Sequence, residues 1–174
     1  MDGAAFEGYV TTHHGEIFRY LRRLSSRPAE ADDLSQETFL RAYRAWAALA
    51  ADANVRAWLF AIATNVFRNH LRSERRRRTA HDTVRATRRE VDFDGPEEEA
   101  MAGEIRTLTE AAIRRLPVKQ RLAFTLRKLH ELEYDAIGQS LDCSPDTARA
   151  HVFQALKKLR TTLNGHVPLV ETSR

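Results

Sequence analysis

The chain has 174 residues, enough for one medium domain or two small ones, and 43% of them are hydrophobic, which is sufficient for packed cores and excludes a disordered chain. With only 7 Gly and 5 Pro, abundant Ala, Leu and Arg, and almost no alternating β-branched runs, the composition favours an all-helical fold. The formal charge of +4 suits a polyanionic partner, the single cysteine, Cys143, excludes an intramolecular disulfide or cysteine-based zinc site, and no segment approaches the roughly 20 apolar residues of a membrane span.

From Ala4 to Leu24, the residues Phe6, Tyr9, Val10, Ile17, Tyr20, Leu21 and Leu24 recur at helical spacing. Arg19, Arg22 and Arg23 sit at the C-terminal end, where cations complement the helix dipole. Ser25, Ser26 and Pro28 are expected to end this helix. A second helix is predicted from Ala29 to Leu49, with Leu34, Phe39, Ala42, Tyr43, Trp46 and Leu49 available for burial and Glu30, Asp32 and Asp33 near its start. After a short loop at 52–54, a third helix is expected from Val55 to Arg78. It buries Trp58, Leu59, Ile62, Ala63, Val66, Phe67 and Leu71, then becomes a basic rod through Arg72 and Arg75 to Arg78. Three such helices can enclose one small core.

Beyond Arg78 the apolar periodicity stops. Residues 79–89 are polar and carry Arg, whereas residues 90–99 carry only negative charge and contain Gly95-Pro96, the composition of a linker. A second module then opens with a helix from Glu97 to Leu116, burying Ile105, Leu108, Ala112, Ile113 and Leu116. Pro117 starts another helix, in which Leu122, Phe124, Leu126 and Leu129 supply apolar contacts.

From Glu133 to Arg160 the pattern becomes two helices joined by a tight turn. Tyr134, Ile137 and Leu141 form the stripe of the first; Asp142 and Cys143 break it; Ser144 supplies an N-cap oxygen and Pro145 occupies the first helical position. The second helix carries Ala148, Val152, Ala155 or Leu156, and Leu159 on its apolar stripe, with Arg149, His151, Gln154, Lys157, Lys158 and Arg160 on other faces. This is the layout of a helix-turn-helix, whose second helix enters the DNA major groove. On its own the stretch also fits a plain helical hairpin with solvated charges. From Gly165 onward no helical pattern remains.

Three constellations bear on chemistry. Asp32, Asp33 and Glu37 form an acidic group, and Asp33 and Glu37 share a helix face, but no second ligand cluster accompanies them. Dipole complementarity or a protein-binding face is the commoner use of such a group. His13 and His14 are adjacent and point about 100° apart on a helix, so they do not jointly hold one metal. On the third helix Trp58, Phe60, Asn65, Phe67 and Asn69 lie beside Arg56, Arg68 and Arg72. Rings that stack on unpaired bases, amides that read base edges and arginines that neutralise phosphates are the requirements for gripping a single strand. Most of these aromatics read as core, with Phe60 and Arg56 as the outward-facing candidates.

Read together, Ala-Asp-Asp-Leu-Ser-Gln-Glu-Thr-Phe-Leu-Arg-Ala-Tyr-Arg-Ala-Trp (31–46), Arg-Ala-Trp-Leu-Phe-Ala-Ile-Ala-Thr-Asn (56–65) and Arg-Leu-Pro-Val-Lys-Gln-Arg (115–121) resemble bacterial sigma factors of the sigma-70 family, in its extracytoplasmic-function class. The resemblance spans roughly residues 6–162 and implies an all-α protein of two small domains. Residues 1–78 correspond to a region 2-like domain, 79–96 to a linker, 97–164 to a region 4-like helix-turn-helix domain and 165–174 to a tail.

By that resemblance Asp32, Asp33, Gln36, Glu37 and Arg41 dock on the β′ clamp helices of core RNA polymerase. Asn54, Arg56, Trp58, Phe60, Asn65, Arg68 and Arg72 would meet the minus-10 promoter element. Ser144, Thr147, Arg149, Ala150, His151, Phe153, Gln154, Lys157 and Lys158 would meet the minus-35 element. The family implies a cytoplasmic, non-enzymatic factor without cofactor or metal, acting as a monomer within the polymerase holoenzyme on promoter DNA. It leaves room for an anti-sigma factor as a further partner.

The sequence departs from the family pattern at several positions. Ala61 and Thr64 stand where basic residues are frequent, Val55 replaces a frequent aromatic, and Asp142 holds a turn position often occupied by Gly. Ser140 and Ala148 fall where larger apolar residues are usual, and His151 and Gln154 where Arg or Lys is frequent. Two other classes compete with this reading: a conventional dimeric helix-turn-helix regulator, and a metal-dependent nucleic-acid enzyme using Asp33 and Glu37. The Arg-to-Glu charge reversal of the linker is also a candidate inhibitory segment.

Overall fold

The computed structural model describes residues 3–80 and 107–164, and all regular secondary structure among these residues is α-helical. The predicted linker beyond Ala80, the first part of the helix expected from Glu97, Ile105 and the tail lie outside the described residues.

In the first module, α1 spans Gly3–Leu24 and closes on Arg22 and Arg23 as expected. α2 spans Pro28–Trp46. Pro28 therefore opens α2 instead of only closing α1, because its fixed φ is already helical and its missing N–H is not needed there. The Glu30 carboxylate reaches back to accept the N–H groups of Ser26 (2.9 Å) and Arg27 (3.4 Å), satisfying donors that the helix start leaves unpaired. α2 stops three residues before Leu49; Ala48 and Leu49 make short i to i−3 turns instead. Asn54 accepts the Ala57 N–H at 3.0 Å and so starts α3, Val55–Ala80.

Burial follows the predicted stripes. Ile17, Leu21, Leu34, Ala42, Leu59 and Ala63 are buried where α1, α2 and α3 meet, and burying each large aliphatic side chain stabilises the fold by about 1.5–3 kcal/mol. The rings of Phe6 and Trp46 meet at 5.4 Å, and Glu30 pairs with His70, tying the start of α2 to α3. Tyr43 departs from expectation. It lies 61% exposed, with only its ring edge against Phe6, because it follows buried Ala42 by one position and faces about 100° away.

In the second module residues 107–114 (α4), α5 (Val118–Lys128), α6 (Tyr134–Leu141) and α7 (Pro145–Asn164) follow in order. Ala112, Ile113, Leu116, Phe124, Ala155 and Leu159 form one core cluster. The ambiguity in the α7 stripe resolves to Ala155; Leu156 is exposed, as are Leu108 and Leu129, which were expected to pack.

The modules do not stand apart. α3 lies against α6, and the first-module core continues without a break from Leu59 and Phe67 of α3 through Leu122, Leu126, Ile137 and Leu141 to Val152.

Candidate nucleic-acid interface

The turn of the helix-turn-helix is built by two residues that let the backbone close tightly. Asp142 adopts the left-handed conformation (φ 56°, ψ 56°), which Asp tolerates better than most residues. Gly138 accepts the Cys143 N–H at 2.9 Å, and a Cβ there would sit 2.7 Å from the Cys143 carbonyl oxygen. Only glycine allows that approach. Ser144 then caps α7, its Oγ accepting the Thr147 N–H at 3.2 Å and meeting the Thr147 hydroxyl at 2.9 Å. Ser140, where a larger apolar side chain is usual, is buried and returns its hydroxyl to the Ala136 carbonyl at 2.8 Å.

α7 leaves Ser144, Thr147, Arg149, Ala150, Phe153, Gln154, Lys157 and Lys158 exposed, with Phe153 69% accessible. Arg149 is not a loose cation. It donates to Asp146 at 2.7 Å, and its guanidinium lies 4.9 Å from the centre of the Tyr134 ring. Tyr134 also carries Arg127 at 4.9 Å, so the first helix of the motif supports arginines from two neighbouring elements. His151 differs from its companions: it is half-buried, and burial with the nearby Lys119 charge holds it below the ordinary histidine range. The lowered value favours the uncharged imidazole at neutral pH.

On α3 the expected residues divide. Asn65 and Arg72 are exposed and Arg68 is half-buried; with Asn69, Gln139 and Asp142 they line a cleft of about 310 Å³ between α3 and α6. Asn54 is exposed, but its side-chain oxygen already caps α3. Trp58 is half-buried, with its ring 6.2 Å from that of Trp46.

The outward orientation expected of Phe60 is corrected by the structure. Phe60 is fully buried, with the His130 ring 4.8 Å away and Tyr20 edge-on at 5.2 Å. Arg56 is half-buried rather than free. Its Nε donates to Glu16 at 3.0 Å, while its Nη2 donates to the same carboxylate and to the His130 carbonyl, at 2.6 Å to the latter. Thr64, found where basic residues are frequent, is buried and hydrogen-bonded to the Tyr20 hydroxyl at 2.8 Å. A charged side chain at that position would have to be buried.

On α2 the acidic group is on the surface: Asp32, Asp33 and Gln36 are exposed, and the half-exposed Glu37 accepts from Arg41 at 2.6 Å. Leu40 (52% exposed) and Tyr43 extend the same surface with apolar area. Leu40 falls four residues after Gln36 and three before Tyr43, a spacing that could have revealed it. His13 and His14 separate as adjacent helical residues must, His13 approaching Glu16 at 3.9 Å and His14 stacking on Phe39. Among the described residues no three His, Cys, Asp or Glu side chains gather into a metal site, and no helix is long and apolar enough to cross a membrane.

Comparison with known proteins matches residues 9–77 to Sigma-70 region 2 and residues 106–159 to Sigma-70, region 4. The chain is 31% identical to the RNA polymerase sigma-H factor of Pseudomonas aeruginosa over 93% of its own length and 88% of that protein's. It is 32% identical to the ECF RNA polymerase sigma-E factor of Escherichia coli K12 over 80% of each chain. Its fold is similar to that of the sigma factor RpoE of Bartonella quintana, crystallised with the anti-sigma factor NepR, with a TM-score of 0.77, 22% identity, and coverage of 92% of this chain and 97% of that one.

Proposed function

Because the chain belongs to the extracytoplasmic-function class of the sigma-70 family, we propose that its three exposed surfaces divide promoter recognition between them. A member of this family binds core RNA polymerase and directs promoter-specific transcription initiation; it is an initiation factor and not an enzyme. The first domain, residues 1–78, docks on polymerase through Asp32, Asp33, Gln36, Glu37 and Arg41. The second, residues 97–164, reads the minus-35 element through α7.

The observation that carries this reading is the row of exposed side chains on α7 above a correctly capped helix-turn-helix. Arg149 reads a guanine edge, held in place by Asp146 and Tyr134, and a good bidentate contact is worth about 1–3 kcal/mol of discrimination. Phe153 offers apolar area to a thymine methyl, while Lys157 and Lys158 neutralise phosphates. In the first module Arg56, Trp58, Asn65, Arg68 and Arg72 hold the opened minus-10 strand, with Phe60 available once uncovered.

The chain works in the cytoplasm as a monomer within the holoenzyme. The anti-sigma factor bound to the structural neighbour supports a similar inhibitor for this chain. Capture of core polymerase by the purified chain, followed by promoter-dependent transcription in vitro, tests the assignment. Arg149→Ala is expected to relax preference at one minus-35 position, and an unchanged promoter profile overturns that role. A symmetric footprint on DNA without polymerase would instead favour the dimeric regulator.

A further inference from the structure

The α3 face assigned to the opened strand is covered in part by this chain's own second module. Phe60 is buried under His130, Phe67 has the Arg121 guanidinium 5.7 Å from its ring centre, and Gln139 and Asp142 stand across the cleft from Arg68 and Arg72. Asp142 sets an anionic group opposite two arginines, where a nucleic acid would set phosphates. A single strand and the second module therefore compete for one surface.

The contact that fixes this arrangement is compact and charged. Glu16 of α1 receives Arg56 of α3 through both carboxylate oxygens and meets the His130 ring at 3.3 Å, while Arg56 also donates to the His130 main-chain carbonyl. Charge-assisted, bidentate pairs of this kind are strong and specific in geometry. The apolar cluster beneath it is offset in part by a polar defect: the buried Nε of Arg121 has no hydrogen-bond partner, which penalises the closed form and is relieved by opening.

We propose that Glu16, Arg56 and His130 form an intramolecular latch that holds the second module over the strand-capturing face of α3 until loading onto polymerase parts the two. The inference rests on α3 being the minus-10 surface, as assigned above. It requires no partner: the occupant of the face is the segment from Arg121 to Asp142 of the same chain. Opening exchanges the Arg56 and Phe60 contacts with His130 for contacts with the unpaired strand.

The test uses the full chain. Glu16→Gln keeps the shape of the side chain and removes the charge that holds Arg56, with retained helicity checked by circular dichroism. Small-angle scattering is expected to show a compact wild type and a roughly tenfold shift toward extended chains in the variant. A wild type already extended in solution, or a variant of unchanged radius of gyration, overturns the latch.

As a second arm that leaves the latch intact, Asn69→Cys and Gln139→Cys in a Cys143→Ser background are joined by a cleavable bismaleimide across the cleft. The tethered chain is expected to lose at least tenfold in promoter opening with core polymerase and to recover on cleavage of the tether. Undiminished opening by the tethered chain overturns the proposal. If the untethered chain directs no promoter-dependent transcription at all, the functional assignment fails, while the scattering comparison still decides the latch.

Discussion

His130 sits where its surroundings oppose its charge. Burial lowers its pKa from the ordinary 6.5, the Glu16 carboxylate opposes that shift, and the nearby Arg56 and Arg23 charges reinforce it. The Tyr20 ring faces it edge-on. Burial raises the pKa of Glu16, but Arg56 and His130 outweigh this and hold the carboxyl below its usual range. Protonation of either group disfavours the closed form. A histidine with a depressed pKa binds fewer protons in the closed form, and a carboxylate with a depressed pKa favours closure only while ionised. Acidification from about pH 7.5 to 5.5 is therefore expected to increase the radius of gyration, the histidine acting first as pH falls through about 6.5. His130→Gln should flatten the upper part of that profile.

The turn residues give a second pair of expectations with opposite directions. Gly138→Ala places a Cβ against backbone and should destabilise the chain by about 1–3 kcal/mol. Asp142→Gly relieves the left-handed strain of an L-residue and should stabilise it by up to about 1 kcal/mol. Urea unfolding of both variants measures the difference. Asp142 was legible in the sequence because its own chemistry permits the conformation. Gly138 was not, because its role depends on a carbonyl five residues later that returns only when the turn closes.

Among the elements, α2 and α3 show what helical spacing reveals and what it withholds. The period identified the face of α2 that carries Asp33 and Glu37, the resemblance added Gln36, and extending the spacing reaches Leu40 and Tyr43. Exposed aromatic and aliphatic side chains beside charges are the usual anchors of a protein interface. Leu40→Ala and Tyr43→Ala are each expected to weaken capture by core polymerase roughly tenfold while leaving thermal stability nearly unchanged, as titration binding and melting curves would show. On α3 the period left Phe60 and Arg56 as outward-facing candidates, and the burial of Phe60 overturns that, because helical spacing says nothing about what covers a face. The available signal was the width of the apolar arc: Trp58 to Phe60, Ile62, Ala63, Val66 and Phe67 wrap more of the helix than α1 and α2 together cover. A helix apolar on so many sides has a partner beyond α1 and α2.

At the scale of the whole molecule the two modules share one continuous cluster of buried side chains, although each has its own helices. Both modules and their order were readable from the chain, since capping residues and apolar stripes are local. Their mutual packing was not, because it depends on pairs such as Glu16 with His130, separated by 114 positions. The shared cluster predicts a single cooperative heat-capacity peak for the full chain, and Glu16→Gln should split it as the modules come to unfold independently.

Arg56 serves both the closed chain and the assigned strand-holding surface, so its replacement has two opposing consequences. Losing the side chain frees the second module while removing a grip on the promoter. The apparent effect on transcription is the product of these factors, and it can lie near unity although each is large. A modest phenotype at this position would therefore record the cancellation of two debts and not the absence of a role, and only changes on the Glu16 side separate them.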